Sequence, residues 1–263
     1  MKKSFLLLVT AMLISGSFIQ AQNFTLGVKG GISIPNLTAG GNQNPINTGY
    51  SSRLGPEAGI FAEYKFSALF SLQADVQYSS QGGKKDGMQA LTTPDAFAAM
   101  FPAGQAPQYL YARYNSEAKL GYLMAPVLAK FSWQLSKSPF SIYVAAGPFV
   151  SMLLSAKQVT SGKSAFYTDA SGQQALPVEP QSFNNTQDIK SDLHPFNFGI
   201  EGNVGLNYRF GQHNVFIEGG GNYGFVNIQK KGANGENNVG AAVAVIGYSY
   251  MFGHNKVNKE KEL

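Results

Sequence analysis

The sequence feature that most constrains the fold is a strict two-residue alternation between Phe70 and Ser79. Apolar and polar side chains take turns along this segment, with Phe70, Leu72, Ala74, Val76 and Tyr78 against Ser71, Gln73, Asp75, Gln77 and Ser79. A period of two is typical of a β-strand with one apolar face, whereas an amphipathic helix repeats every 3.6 residues. The segment from Ala58 to Phe66 alternates in a similar way. The two segments predict a β-hairpin whose arms have the length, about 9–11 residues, of a tilted membrane crossing.

The composition agrees with a membrane-spanning sheet. Only 13% of the 263 residues are charged, while 44% are hydrophobic, 13% are aromatic and 30 residues are glycine. No run after the N-terminus is apolar enough for a membrane helix of about 20 residues. A chain that is poor in charge but has no long apolar run is typical of a membrane β-barrel, because alternation dilutes its apolar residues.

The N-terminal segment has the order of regions of a secretory signal peptide. Lys2 and Lys3 precede an apolar stretch from Phe5 to Ile14, and the segment ends at Ala21, a small residue of the kind found at signal-peptide cleavage sites. The order predicts cleavage after Ala21 and favours export over the alternative of a buried N-terminal helix. The chain has no cysteine, which excludes a lipoprotein anchor and a disulfide framework. The net charge of +5 falls to +3 without the two lysines (5 − 2 = 3), which is too small to indicate nucleic-acid binding.

The hairpin pattern recurs along the chain. Alternating segments predict eight strands, at about 24–34, 58–66, 70–79, 117–133, 140–157, 196–210, 215–229 and 239–252. Their connections alternate between long and short, so an up-and-down meander places the tight turns at one end and the long loops at the other. Outer-membrane barrels have short periplasmic turns and long external loops. The sequence therefore predicts an all-β, eight-stranded antiparallel up-and-down transmembrane β-barrel in the outer membrane of a Gram-negative cell. Its predicted divisions are a signal peptide (1–21), the barrel domain (22–252) and a charged tail (253–263).

The last predicted strand ends in an aromatic pattern. Gly247, Tyr250 and Phe252 resemble the terminal signal that barrel-assembly machinery recognises, and this machinery is therefore an expected partner during biogenesis. The charged extension after Phe252 departs from that pattern, in which the aromatic residue is the last one.

Several stretches resemble the PorT-like outer-membrane β-barrel family. They are Gly27–Gly31, YLMAPVLAKF at Tyr122–Phe131, AAGPFVSMLLSAK at Ala145–Lys157 and NYGFVNI at Asn222–Ile228. The resemblance implies an eight-stranded outer-membrane barrel from a family whose founding member is linked to secretion and gliding. The sequence departs from the family at Met124, where a carboxylate is expected. Since a shared fold does not fix a function, the secretion role is not transferred.

The inward faces of the predicted strands carry charges of both signs. The alternation places eight charged residues inside the barrel as a structural network: Glu57, Glu63, Lys65, Asp75, Lys130, Glu201, Arg209 and Glu218. An eight-stranded barrel has an interior that side chains can fill, whereas an open aqueous channel needs about sixteen strands. A filled, salt-bridged lumen is the favoured interpretation, and a narrow or gated path is the alternative. The polar set also argues against an apolar ligand cup.

One histidine lies in a setting that a catalytic site could use. His194, beside Asp192 in a serine-bearing loop, is the only one of the three histidines expected at the external end, and entry into a strand explains it better than catalysis. The chain has no H-E-x-x-H motif, phosphate-binding loop, EF-hand or cysteine cluster. The sequence thus predicts a non-enzymatic protein with no catalytic, cofactor-binding or metal site.

Aromatic residues in the second external loop allow two interpretations. Phe97, Phe101, Tyr109, Tyr111 and Tyr114 could stack on a sugar or peptide, or form an aromatic girdle at the membrane interface, which is favoured. The predicted function is therefore a structural or secretion and assembly accessory role. Ligand binding or adhesion by the loops, and narrow porin-like permeation, remain alternatives. Expected partners are outer-membrane lipid and cell-envelope proteins, and nucleic acid is not among them.

Overall fold

A computed structural model of the protein describes residues 23–39, 44–230 and 235–252. The predicted signal peptide (1–21), the charged tail (253–263) and His254 lie outside the described residues, so these parts of the interpretation stay predictions. The described part contains no helix that is long and apolar enough to span a membrane.

Eight long antiparallel strands form a closed ring. They are β1 (Phe24–Ala39), β2 (Gly55–Lys65), β3 (Phe70–Lys85), β6 (Asn115–Gln134), β7 (Phe140–Ser161), β11 (Phe196–Phe210), β12 (His213–Gly224) and β13 (Asn237–Phe252). The short strands β4, β5, β8, β9 and β10 lie in the connections between them. Each long strand pairs with the next one along the chain, and β13 pairs back onto β1 from Phe252↔Phe24 to Asn237↔Ala39. The predicted eight-stranded antiparallel up-and-down barrel is therefore confirmed.

The two ends of the barrel differ in their connections. Residues 66–69, 135–139 and 211–212 make tight turns at the end where β1 begins and β13 ends, which is called the turn end below. Residues 40–54, 86–114, 162–195 and 225–236 connect the strands at the opposite, loop end. The predicted separation of short turns and long loops is thus found in the structure.

The outer surface of the barrel is apolar. Alternate residues such as Ile60, Val76 and Ile200 point away from the lumen and are half or more exposed. At the turn end, aromatic rings contact one another around the circumference, for example Tyr64 and Phe66 at 4.9 Å and Tyr250 and Phe252 at 5.0 Å between centroids. Aromatic side chains at the edge of an apolar band are typical of the membrane–water interface.

Strand β1 is longer than predicted. Pro35 and Asn36 were expected to end it, but the strand continues to Ala39. The ladder between β1 and β2 stops at Ser33↔Gly55, and beyond it the Pro35 carbonyl accepts a hydrogen bond from the Arg53 N–H. The missing N–H of Pro35 therefore faces the side where the ladder has ended, which is the position that a strand tolerates for proline.

Strand β12 is shorter than predicted, because it ends at Gly224 rather than near Gln229. The side chain of Asn197 accepts a hydrogen bond from the Val226 N–H (3.2 Å) and donates one to the Val226 carbonyl (3.3 Å). Since one amide side chain satisfies both backbone groups of Val226, the chain can leave the sheet here without a strand partner.

Two of the long connections contain regular structure of their own, which the loop-like composition did not predict. The first holds β4 (Met88–Thr92), α1 (Asp95–Ala98) and β5 (Tyr109–Arg113). The second holds β8 (Lys163–Ser164), β9 (Gln181–Ser182), β10 (Asn185–Asp188) and a short 3-10 helix (Lys190–Asp192). Strand β10 pairs with the outer part of β7, beyond the point where β11 ends. Strand β3 also continues past the predicted end, to Lys85, because β6 pairs with it as far as Ser116.

Candidate functional site

A lysine and two carboxylates occupy the middle of the lumen. The Nζ atom of Lys29 lies 2.7 Å from Oδ2 of Asp75 and 3.5 Å from Oε1 of Glu218. The hydroxyl of Tyr143 donates a hydrogen bond to Oε2 of Glu218 at 2.8 Å. All four side chains are buried. Strands β1, β3, β7 and β12 contribute one residue each, so the group joins opposite parts of the barrel wall.

Two further carboxylates lie in the same buried region. Glu201 accepts hydrogen bonds from the side-chain amides of Gln77 and Asn203, both at 2.9 Å. Within the described part of the chain, Oε2 of the buried Glu57 has no hydrogen-bond partner. Glu57, Glu201, Asp75 and Glu218 are four carboxyl groups, whereas Lys29 is the one cation that forms ion pairs with members of this set in the described residues. The middle of the lumen is therefore rich in acceptors and poor in positive charge.

A second ion pair lies closer to the turn end. Nζ of Lys130 lies 2.9 Å from Oε2 of Glu63 and also donates to Oε1 of Gln73 at 3.1 Å. The amide of Gln73 in turn donates to Asp75 at 2.9 Å. The Lys130 ammonium also lies 4.2 Å from the centre of the Tyr143 ring. Gln73 and Tyr143 thus connect this pair to the central group, and the polar part of the lumen is continuous.

The two other predicted lumen cations lie at the turn end. Lys65 and Arg209 line a small cavity of about 70 Å³ that is shared by the ends of several strands. Arg209 donates to the Gly211 carbonyl at 3.3 Å. Neither cation lies within 4.0 Å of a described carboxylate. The structure therefore places all eight predicted residues on the inner side, but it brings only four of them into ion pairs: Glu63 with Lys130, and Asp75 and Glu218 with Lys29.

Lys29, which links the central group, was not among the predicted lumen residues. The alternation of β1 could have predicted its inward position, because Leu26 and Val28 face outward and Lys29 therefore lies on the inward face. Three glycines in this strand, Gly27, Gly30 and Gly31, hide the pattern, because a glycine marks neither face. Glycine is needed at Gly27 and Gly31, where a β-carbon would overlap the Phe61 ring and the Ala244 carbonyl respectively.

The loop-end half of the lumen contains a large apolar cluster beside polar side chains such as Gln81 and Asn222, whereas a wholly polar interior was expected. Its buried cluster comes from the inward faces of β6 and β7, from the loop-end parts of β1 and β13 and from two loops: Leu37, Ala118, Leu120, Tyr122, Met124, Phe149, Leu153, Ala156, Leu193, Ile228 and Val239. Met124, where the resembled family led us to expect a carboxylate, is 1% exposed inside this cluster. Its register neighbours are Gln77 and Ser151, so burying a carboxylate there would be costly unless these two side chains hydrogen-bonded to it.

The loop connections close the apolar half from above. Leu193 and Ile228 come from two different loops and pack onto the cluster, and the His194 N–H donates to the Ile228 carbonyl at 2.8 Å. The His194 side chain is exposed and makes no hydrogen bond to a described residue. The described part of the chain also contains no group of three or more His, Cys, Asp or Glu side chains that could hold a metal ion.

The two longest connections pack against each other and form an outer lobe, defined as residues 88–113 and 162–183. Leu110, Ala112 and Phe166 are buried at its centre. The lobe is held by aromatic contacts, with the rings of Phe97 and Phe166 4.5 Å apart and the backbones of Tyr111 and Tyr167 paired by two hydrogen bonds of 2.8 Å. Phe97 therefore belongs to the lobe core, which neither the girdle nor the ligand-stacking interpretation had anticipated.

Other polar contacts fix the lobe and the first loop. Asp169 accepts hydrogen bonds from the Ser171 hydroxyl and from the backbone N–H groups of Gln173 and Gln174, and these bonds lower its pKa to about 2. In the first loop, burial raises the pKa of Tyr50 to about 12. The neutral ring of Tyr50 lies 4.3 Å from Nζ of Lys85. A cleft of about 230 Å³ opens between this loop and the lobe.

The predicted terminal signal lies where β13 pairs with β1 and closes the barrel. Gly247 faces inward against the Phe216 ring, which leaves no room for a β-carbon. The hydroxyl of Tyr250 donates to the Gln212 side chain at 2.7 Å, and the ring of Phe252 lies 6.1 Å from that of Phe24 on β1. The residues of the pattern therefore have structural contacts, and their recognition by assembly machinery stays a prediction.

The fold, the apolar exterior and the filled lumen define an integral membrane β-barrel. A family model described as an outer membrane protein beta-barrel domain matches residues 20–230, and the chain belongs to this family. The family places the protein in the outer membrane. Outer-membrane barrels have short periplasmic turns and long external loops, so we expect the turn end to face the periplasm. No curated protein gives a significant match.

Solved structures with a similar fold are barrels of other bacteria. Neisserial surface protein A is 14% identical, with 87% of this chain and 97% of that chain covered and a TM-score of 0.41. Ail, the attachment invasion locus protein of Yersinia pestis, is 10% identical over 87% of this chain and 99% of that chain, with a TM-score of 0.36. The outer membrane protein OprG from Pseudomonas aeruginosa is 10% identical over 88% and 98%, with a TM-score of 0.35.

Proposed function

We propose that the protein is a non-conducting, non-enzymatic outer-membrane barrel with a structural or accessory role in the cell envelope. The observation that supports this proposal is the filling of the lumen. Charged and amide side chains occupy its middle, and the apolar cluster around Tyr122 and Phe149 occupies its loop-end half. A hydrated ion would have to displace both layers to cross the barrel.

A secretion or assembly accessory role is one form of this proposal, although the PorT-like resemblance does not by itself assign it. The stretches that carry the resemblance lie in the barrel wall, for example Tyr122–Phe131 in β6 and Ala145–Lys157 in β7. Their role is to build the closed barrel, and the outer lobe is the part that is free to contact cell-envelope partners. Barrel-assembly machinery is a further proposed partner, through Gly247, Tyr250 and Phe252.

A second candidate function is ligand binding or adhesion by the loop end. It is favoured by the cleft of about 230 Å³ between the first loop and the lobe, which is lined by Lys85, Asp86, Gln89 and Tyr111 among others. Cationic, anionic, amide and aromatic groups converge there, which is the kind of lining that a small polar ligand needs.

The lumen proposal is tested by conductance in planar lipid bilayers. We expect no channel steps from the folded wild-type protein. The double variant Tyr122→Ala, Phe149→Ala removes two large side chains from the apolar cluster and should leak more ions than the wild type, because only the polar layer then blocks the lumen. The matched control Tyr78→Ala, Phe198→Ala removes similar side chains from the lipid-facing surface and should stay closed. Steady conductance by the wild type would contradict the proposal.

The role of the outer lobe is tested by shortening the loop. Lys85 and Ser116 are paired across β3 and β6, so an Asn-Gly turn can replace residues 86–115 and close a simple hairpin. Cross-linking on intact cells should lose lobe neighbours in this variant, while the heat-dependent gel shift of the barrel is kept. An unchanged set of cross-linked neighbours would show that the lobe makes no partner contact.

A further inference from the structure

The outer face of β6, β7 and β10 carries a cluster of lysines just above the apolar band. Lys119 on β6 is directly opposite Lys157 on β7 in the sheet register, and both side chains are exposed. Lys190, from the 3-10 helix after β10, reaches down and donates from Nζ to the Leu154 carbonyl at 2.8 Å. Three ammonium groups thus come from adjacent elements on the outward face of the sheet.

Two hydroxyl groups converge directly below these lysines. The register between β6 and β7 shifts at Gly121, and a β-carbon built on Gly121 would lie 2.8 Å from both the Tyr78 hydroxyl and the Ser155 hydroxyl. Neither hydroxyl makes a hydrogen bond to another described residue. Gly121 therefore leaves room for the Tyr78 and Ser155 side chains to lie over it, and their two hydroxyl donors form a polar site, which we call the notch, with Lys119 and Lys157 at its upper edge.

The acidic groups nearby do not neutralise this cluster. Glu117 lies 3.2 Å from Lys119, but it also lies 2.7 Å from the guanidinium of Arg53, and Lys84 is its neighbour across the sheet. Asp188 is opposite Lys157, and its carboxylate accepts a hydrogen bond from the Lys190 backbone N–H. The cluster and its charged neighbours have five cations and two anions, which leaves a formal charge of +3 (5 − 2 = 3). The cations are Arg53, Lys84, Lys119, Lys157 and Lys190, and the anions are Glu117 and Asp188.

Below the notch the surface is apolar. Leu123 on β6 and Leu154 on β7 are 38% and 40% exposed, and Met152 continues the apolar surface further down. From the turn end upward, this strip of wall therefore presents apolar side chains, then two hydroxyl groups, then a cluster of lysines. The order matches an anionic amphiphile whose chains lie along the barrel and whose head group lies at the level of the notch.

We propose that this strip binds a phosphorylated glycolipid of the outer leaflet, with its phosphate at Lys119 and Lys157. Ammonium groups and hydroxyl donors are the groups that bind phosphate oxygens in proteins. The lipid is favoured over a dissolved phosphate because the notch is continuous with the lipid-facing surface, so head group and acyl chains are bound together. The proposal rests on the outer-membrane location and on the loop end facing outward, and it is independent of what the lobe contacts.

The test is a titration of the folded barrel in uncharged detergent with diphosphoryl lipid A, read as the midpoint temperature of the heat-dependent gel shift. Lipid that binds the folded state should raise the midpoint. Lys119→Gln, Lys157→Gln together should weaken the apparent affinity at least about tenfold, since two charge-assisted bonds are lost. Lys163→Gln, an exposed lysine of the outer lobe, is the matched control and should behave as the wild type.

Two results would overturn the proposal. Equal affinities of the double variant and the wild type would show that the lysine cluster does not hold the lipid. An equal rise of the midpoint with inorganic phosphate alone would show that the notch takes a dissolved anion and that the acyl chains contribute nothing. The gel shift without lipid reports the folding of each variant, so a loss of affinity can be separated from a loss of structure.

Discussion

At the scale of single residues, Lys29 has the largest electrostatic role in the lumen. It is the cation within 4.0 Å of both Asp75 and Glu218, and two more carboxyl groups lie in the same buried region. Lys29→Met should lower the free energy of unfolding by about 3–5 kcal/mol, because it leaves buried charges without compensation. Equilibrium urea unfolding in lipid vesicles measures this change.

The double variant Lys29→Met, Asp75→Leu provides the control for that prediction. Removing both partners should cost less than the sum of the two single variants, with a coupling of about 0.5–3 kcal/mol. Additive effects would mean that the 2.7 Å contact between Lys29 and Asp75 adds nothing to stability.

At the scale of one strand, β3 separates two environments by alternate residues. Val76 faces lipid and is 50% exposed, whereas Gln77 is buried in the lumen beside Glu201. Val76→Lys should destabilise the inserted barrel by about 2–4 kcal/mol, because a charged side chain near the bilayer midplane is costly. Gln77→Lys should cost much less, since its ammonium would meet Glu201 and Glu57, whose Oε2 has no hydrogen-bond partner among the described residues.

Refolding yield and unfolding free energy in vesicles distinguish these two adjacent substitutions. The assigned faces of β3 would be wrong if both lysine variants were equally impaired, or if Gln77→Lys were the more damaging one.

The outer lobe is an element with a core of its own, and its stability can be separated from that of the barrel. Leu110 is 0% exposed at the lobe centre. Leu110→Ala should cost about 2–5 kcal/mol locally. Trypsin applied to intact cells should then cut after Arg113 faster than in the wild type, while the gel shift of the barrel is unchanged. Leu54→Ala, at an exposed position of the first loop, is the control that should leave the cutting rate unaltered.

These elements also show what the sequence contained and what it did not. The strict alternation of apolar and polar residues predicted which faces of β3 and β11 point to lipid and to the lumen. The order of long and short connections predicted the closed ring of strands. The outer lobe was not predicted, because Phe166 is far in sequence from Leu110 and Ala112. All three lie among glycines, prolines and polar residues that are typical of loops. The apolar half of the lumen was missed because β6 is apolar on both faces around Tyr122 and Met124, so the period of two disappears there.

At the scale of the whole molecule, the barrel depends on the closure of β13 onto β1. The residues from Gly247 to Phe252 pair with those from Lys29 to Phe24 and complete the ring at the turn end. A chain that stops before Gly247 leaves the lower part of β1 as an open edge inside the bilayer, where unpaired backbone groups are not tolerated. This truncation should abolish the fast-migrating unboiled form in outer-membrane fractions, whereas a stop after Phe252 should keep it.

Phe252→Ala separates ring closure from recognition by assembly machinery, because the backbone pairing of residue 252 with Phe24 does not need the aromatic ring. The purified variant should refold in detergent, where no machinery is present, with a gel shift close to that of the wild type. If the terminal aromatic residues are an assembly signal, the same variant should reach the outer membrane in a reduced amount in cells. A variant that fails in detergent as well would show that the Phe24–Phe252 contact acts on folding itself, and normal levels in cells would remove the signal role from Phe252.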